Sequence, residues 1–106
     1  MIAMPHFFLK LIPPRPSFPM DMNDDEKAMM AEHFAYWKSK LDNGEVVVFG
    51  PVLDPKGPFG AGIVAAADEA AARVFADNDP AIRSNCGFTY EIYPMRAVTR
   101  DTGMTP

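Results

Sequence analysis

Apolar and polar positions alternate along the chain in blocks of two distinct periods. The first block, His6 to Ile12 (HFFLKLI), places Phe7, Leu9 and Leu11 on one face and Phe8, Lys10 and Ile12 on the other. Pro13-Pro14 stops it, which predicts a first strand. Pro13, Pro14, Pro16 and Pro19 then forbid helix over residues 13–22 and favour a stiff extended path that presents Arg15 and Phe18. Asn23 opens a helix: its side chain can cap, Glu26 can reach back as in a capping box, and Asp24, Asp25 and Glu26 suit the positive end of the dipole. Met30, His33, Phe34, Trp37 and Leu41 follow at steps of three and four and share one face. Asp42-Asn43-Gly44 ends the helix, with Gly44 free to take a left-handed cap conformation.

Val46 to Val52 reads as a second strand, and its three consecutive valines predict burial on both faces. Turn formers fill residues 54–60, and Ala61 to Ala66 returns as a third strand to make a hairpin. Asp68 caps a second helix, Glu69 to Ala76, with Ala71, Val74 and Phe75 as its buried stripe, and Asn78, Asp79 and Pro80 stop it. Phe88 to Met95 alternates again as a fourth strand, with Phe88, Tyr90 and Ile92 opposite Thr89, Glu91 and Tyr93. The order β-α-β-β-α-β is the ferredoxin-like α+β arrangement: a four-stranded antiparallel sheet with two helices on one face. A single domain is expected over residues 1–98, with a flexible tail over residues 99–106. The other sheet face has no helix to cover it, and a second copy of the chain is the simplest cover.

Composition narrows the function classes. At 106 residues and 48% hydrophobic, the chain suits one packed core, and a small domain gains from dimerisation. A formal charge of −4 opposes attraction to phosphate backbones and anionic membranes, so nucleic acid and lipid are not expected partners. The β-α-β-β-α-β order is shared with RNA-recognition domains, but Pro58 and Ala61 occupy places where their third-strand signature wants aromatics. The one cysteine, Cys86, cannot form an internal disulfide, residues 1–19 lack the pattern of a secretory signal, and the expected location is the cytoplasm. With two histidines and one cysteine, no ligand cluster of recognised spacing is present, and neither metal nor cofactor is expected.

Four ordered stretches, LIPPRPSFPMDM, EHFAYWKSKLDNGEVVVFGPVLDPKGPFG, ADNDP and YEIYPMR, resemble the YciI-like (YCII-related) proteins, in particular their longer members with a proline-rich loop after the first strand. The resemblance implies a dimeric ferredoxin-like α/β barrel. Its cleft would hold a histidine of the first helix and the aspartate of an Asp-Pro step after the second, which are His33 and Asp79 here. It further implies acid/base chemistry of the kind used by the family's dehydrochlorinases, which act on chlorinated hydroxyhydroquinones, within a fold similar to that of muconolactone isomerases.

The residues support a site at the same place. An imidazole with one ring nitrogen held by a carboxylate is fixed in tautomer, and its other nitrogen can take a proton and return it. For a hydroxylated chloro-aromatic, His33 would take the proton, Lys10 or Arg15 would stabilise the developing phenolate, and chloride would leave. Trp37, one turn from His33, could wall an aromatic ligand, and Ser84 could hydrogen-bond a substrate hydroxyl. Each has a structural alternative: a satisfied histidine, turn chemistry at Asn78-Asp79-Pro80, a solvent-reaching lysine, a core tryptophan, and a capping serine. His6 is expected at the surface and Cys86 as a small buried residue. Two functions stay open: a cofactor-free lyase or isomerase with a His33–Asp79 pair, or a non-catalytic domain that binds or senses a small molecule.

Overall fold

An alternating apolar strand that is inward on one face needs neighbours on both sides to satisfy its backbone, and β1 (His6–Ile12) has them. The computed structural model describes residues 4–100 and 103–104. It orders the chain as β1, α1 (Asp24–Asp42), β2 (Val46–Val52), β3 (Phe59–Ala65), α2 (Glu69–Asp77), α3 (Pro80–Arg83), β4 (Thr89–Met95), β5 (Val98–Thr99) and β6 (Gly103–Met104). The first four long strands form one antiparallel sheet in the order β2-β3-β1-β4, the ferredoxin-like topology. Leu9 lies opposite Gly62 on one side and Ile92 on the other, and Leu11 opposite Gly60 and Tyr90. Phe7, Leu9, Leu11, Val46, Val64 and Tyr90 therefore share the face that meets the helices, and all are buried.

The sheet is open, which corrects the barrel expected from the family resemblance. β2 and β4 are its two edges and do not pair with each other. Four strands are too few to curl a sheet closed upon itself. Both edges also contain a proline, Pro51 and Pro94, which cannot donate to a further ladder.

Edge position also explains why β2 is not buried on both faces. Val46 is buried, but Val47, Val48 and Val52 are exposed, with a β-bulge between Val46 and Val48. Val48 and Val52 sit on the face of the sheet turned away from the helices. The third strand begins at Phe59, two residues before the expected Ala61, because the hairpin register runs out to the Val52–Phe59 pair.

Both helices start where their caps place them. The Glu26 N–H donates to Asn23 Oδ1 at 2.8 Å and the Asn23 N–H to Glu26 Oε1 at 3.0 Å, a complete capping box. The Ala71 N–H donates to Asp68 at 2.8 Å. Gly44, with φ +90°, follows the C-cap Asn43 of α1. In α2 the buried stripe is Ala72, Phe75 and Ala76, one position around from the expected one, and Val74 is exposed. In α1 the buried positions are Glu26, Met29 and Trp37, whereas Phe34 lies 57% exposed at the rim, against Phe49.

The one-turn helix α3 was not expected from the sequence. Asp79 caps it and Pro80 supplies its first position, so the residues that end one helix also start another. His6 is buried and Cys86 exposed, the reverse of expectation: His6 begins a central strand, and Cys86 lies in the loop between Asn85 (φ +56°) and Gly87 (φ +90°). Of the tail expected over residues 99–106, residues 101, 102, 105 and 106 lie outside the described residues, and within those described β5 pairs with β6. Among the described residues no helix is long and apolar enough to cross a membrane.

Candidate functional site

The site begins with a hole in the sheet. Gly62 on β3 has no side chain, and the Trp37 ring of α1 occupies that space: a Cβ at Gly62 would lie 2.3 Å from Trp37 Cζ3. Phe75 of α2 meets the same indole edge-on at 4.8 Å, and Phe49 of β2 lies 5.7 Å away on another side. Trp37 is thus clamped with its N–H directed at Asp79, which it reaches at 2.9 Å.

Asp79 is wholly buried and its carboxylate is fully used. Oδ2 accepts from Trp37 Nε1, from the Tyr90 hydroxyl and from His33 Nδ1 at 2.8 Å; Oδ1 accepts from the Ala81 N–H at 2.9 Å and lies 2.9 Å from the same His33 nitrogen. Burial pushes an isolated carboxyl up, but here the hydrogen bond and charge of His33, the Tyr90 hydroxyl and the Ala81 N–H outweigh it and hold Asp79 below the usual carboxylate range. Burial, the charge of Asp79 and the bond to it together hold the Tyr90 phenol well above its ordinary range, so it remains a donor. Tyr36, pushed up to about 12 by burial and by the charges of Asp79 and Glu45, donates to the Phe75 carbonyl at 2.8 Å and ties α1 to α2.

His33 stands one turn before Trp37, and its ring borders both Asp79 and a cavity. Its Nδ1 is taken by Asp79, which assigns the proton there in the neutral ring and makes Nε2 the acceptor. Nε2 has no hydrogen-bond partner among the described residues and is not sealed from solvent. The cavity, of about 450 Å³, lies between α1, the helix-covered sheet face and the proline-rich loop. Leu9, Leu11 and Tyr90 form its floor, Met30 and Trp37 one wall, and Phe18 and Pro19 its cover. The Phe18–Pro19 peptide is cis.

The six expected site residues separate into two groups. His33, Asp79 and Trp37 come together as one hydrogen-bonded unit. Lys10, Arg15 and Ser84 do not line the cavity. Lys10 is on the opposite sheet face, its Nζ 4.5 Å above the Phe59 ring. Arg15 is consumed by carboxylates: Nη1 and Nη2 each donate to Glu26 at 2.8 Å, and Nε donates to Asp21 at 2.9 Å. These bonds hold Glu26 down to about 2 and latch the loop to the start of α1. Ser84 donates to the Ala81 carbonyl at 2.9 Å and borders a separate shallow depression with Asp25, Glu32 and Arg83. Tyr90 is the residue that sequence reasoning missed. Its signal was a hydroxyl on the inward face of an alternating strand, where a buried donor needs a partner.

Among the described residues no three His, Cys, Asp or Glu side chains gather as a metal site. The fold and the site together define a ferredoxin-like α+β domain in which a carboxylate-anchored histidine faces a small apolar cavity. A YCII-related domain matches residues 6–96, nearly the whole length, and the chain belongs to the YCII-related family. No curated protein matches it significantly.

Proposed function

We propose that the protein is a small-molecule enzyme that uses His33 as general acid/base on a hydroxylated ring, with elimination of HCl from a chlorinated intermediate of aromatic degradation, or isomerisation, as the reaction. The observation that carries this reading is the state of His33: Nδ1 locked on a buried carboxylate, Nε2 unengaged, at the wall of an apolar cavity. Asp79 does not compete for the proton, because its oxygens already accept four kinds of donor. In the elimination, Nε2 takes a hydroxyl proton and returns it to the chlorine-bearing carbon, giving the keto tautomer. Removal of a second hydroxyl proton then expels chloride, and the net change is loss of HCl with no outside oxidant. The positive charge that opposes the developing phenolate is the imidazolium itself, since Lys10 and Arg15 stand elsewhere.

Substrate access and assembly belong to the same proposal. The helix-free sheet face carries Phe8, Val48, Tyr93 and Met95, and we propose that it is covered by a second copy in a homodimer. The lone, exposed Cys86 suits a reducing cytoplasm. The test is a screen of hydroxylated and chlorinated rings and of lactones by thermal shift, with chloride release followed for each hit in wild type and His33→Asn. Chloride release in wild type that falls about 10²-fold or more in the variant, with ligand binding retained, supports the reading. Binding without any turnover by either protein favours a binding or sensing domain.

A further inference from the structure

We infer that the cavity selects an electroneutral ring, one whose single inward polar group meets His33 Nε2, and excludes carboxylates and phosphates. The inference rests on the cavity being the substrate site and concerns what that site recognises. Among its lining side chains only His33, Trp37 and Tyr90 carry a nitrogen or a hydroxyl. Two of those three are already spent. The Trp37 N–H donates to Asp79 and to the Tyr90 oxygen at 3.1 Å, and the Tyr90 hydroxyl donates to Asp79. His33 Nδ1 is engaged with Asp79 as well, which leaves Nε2 as the one side-chain nitrogen or oxygen open to a ligand.

The backbone around the cavity is equally poor in donors. Pro13, Pro19, Pro51 and Pro58 all line it and none has an N–H. Gly60 and Ala61 lie within the β2–β3 and β1–β3 ladders. The two cations that the sequence placed near the site stand behind its apolar lining and do not line it themselves: Lys10 Nζ lies 4.5 Å over the Phe59 ring, and Arg15, 5.7 Å over the Phe18 ring, is spent on Asp21 and Glu26. The carboxylate of Asp79, directly behind His33, repels an anion.

A carboxylate entering this cavity would lose its water with no N–H or cation to replace it. A phenol hydroxyl loses little, because Nε2 accepts from it, and a chlorine or ring edge is at home against Leu9, Leu11 and Phe18. Further hydroxyls on the same ring are tolerated only where they reach the open mouth and its water. The ligand class is therefore phenols and neutral enols, not ring acids or lactone carboxylates.

The experiment compares two probes of nearly the same shape, 4-chlorophenol and 4-chlorobenzoate, by titration calorimetry at pH 7.5, where the first is neutral and the second ionised. Wild-type protein and His33→Phe are both used, the variant keeping an aromatic ring in place of the imidazole. The expected result is at least about tenfold tighter binding of the phenol by wild type, with the phenol's own affinity falling about tenfold in the variant while the benzoate stays weak in both. Equal or tighter binding of the benzoate, or no binding of the phenol, overturns the inference. Turnover plays no part in this measurement. Selective phenol binding without chloride release would remove the lyase reading and leave the selectivity standing, while chloride release from a ring acid would do the reverse.

Discussion

At the scale of single residues, the site is a problem of satisfying one buried charge. Asp79 is tolerable in the core only because His33, Trp37, Tyr90 and the Ala81 N–H surround it. Replacing it leaves those donors without an acceptor. Asp79→Asn is expected to lower stability by about 3 kcal/mol in denaturant unfolding and to leave His33 without a fixed tautomer. Tyr90→Phe removes one donor and leaves the indole bond in place, so its cost is smaller, about 1–2 kcal/mol. In nitrogen NMR of the imidazole, Asp79→Asn is expected to shift the tautomer equilibrium of His33 and Tyr90→Phe to leave it close to wild type. This pairing of His33 with Asp79 is legible in the sequence, because an Asp-Pro step and a helix-face histidine fall on family positions. The remaining donors are not. Trp37 and Tyr90 come from different elements, and nothing in local spacing says that their polar tips converge.

At the scale of elements, α1 is positioned by a gap in β3 and by a latch at its own start. Gly62→Ala would drive a methyl into Trp37, which cannot move without giving up Asp79, Phe75 and Phe49. The expected cost is about 3 kcal/mol, with a shift in tryptophan fluorescence that a simple loss of strand propensity would not produce. The latch makes a different prediction. Arg15→Ala frees the loop that carries Phe18 and Pro19 over the cavity, and it should raise KM or Kd for the cavity ligand with little change in kcat. Arg15→Lys should not restore it, since an ammonium cannot make the paired bonds to Glu26. Glu26 has its folded pKa lowered from an ordinary 4.5 to about 2, so the latch contributes fully above pH 4.5 and is lost as pH falls through about 2. Ligand affinity measured in acid should track that loss. The sequence marked Arg15 as chemistry because a cation in a rigid loop before a pocket invites that reading. Of its two acidic partners, Glu26 reads as a capping residue and Asp21 carries no signal of its own, and only the folded loop brings all three together.

At the scale of the whole molecule, one sheet face is built and the other is left. The helices cover Leu9, Leu11 and Val64, while Phe8 and Tyr93 stack at 6.0 Å on the helix-free side, on which Val48 is exposed. If a second copy covers that face, light scattering should give twice the 11.7 kDa chain mass at micromolar concentration, and Phe8→Glu should return it to the single-chain mass. A single-chain mass in wild type would remove the homodimer from the proposal. The catalytic reading would survive, since every residue of the His33 site described here comes from one chain.

The sequence by itself determined the four long strands, the two long helices, their order and the caps that start those helices. Alternation, helical spacing and capping residues are local signals, and they placed β1 and β2 at their observed limits and the start of α1 at Asn23. What only the tertiary structure decided was the inventory of the cavity. Which polar groups remain free there depends on contacts between residues up to 53 positions apart, as for Trp37 and Tyr90. It also depends on whether a charged side chain finds a closer partner first, as Arg15 does. A strand's burial follows its rank in the sheet rather than its composition, so of three consecutive valines read as core, Val47 and Val48 lie exposed on an edge strand. Local pattern specifies what a segment is, and long-range pairing specifies what its side chains have left to offer.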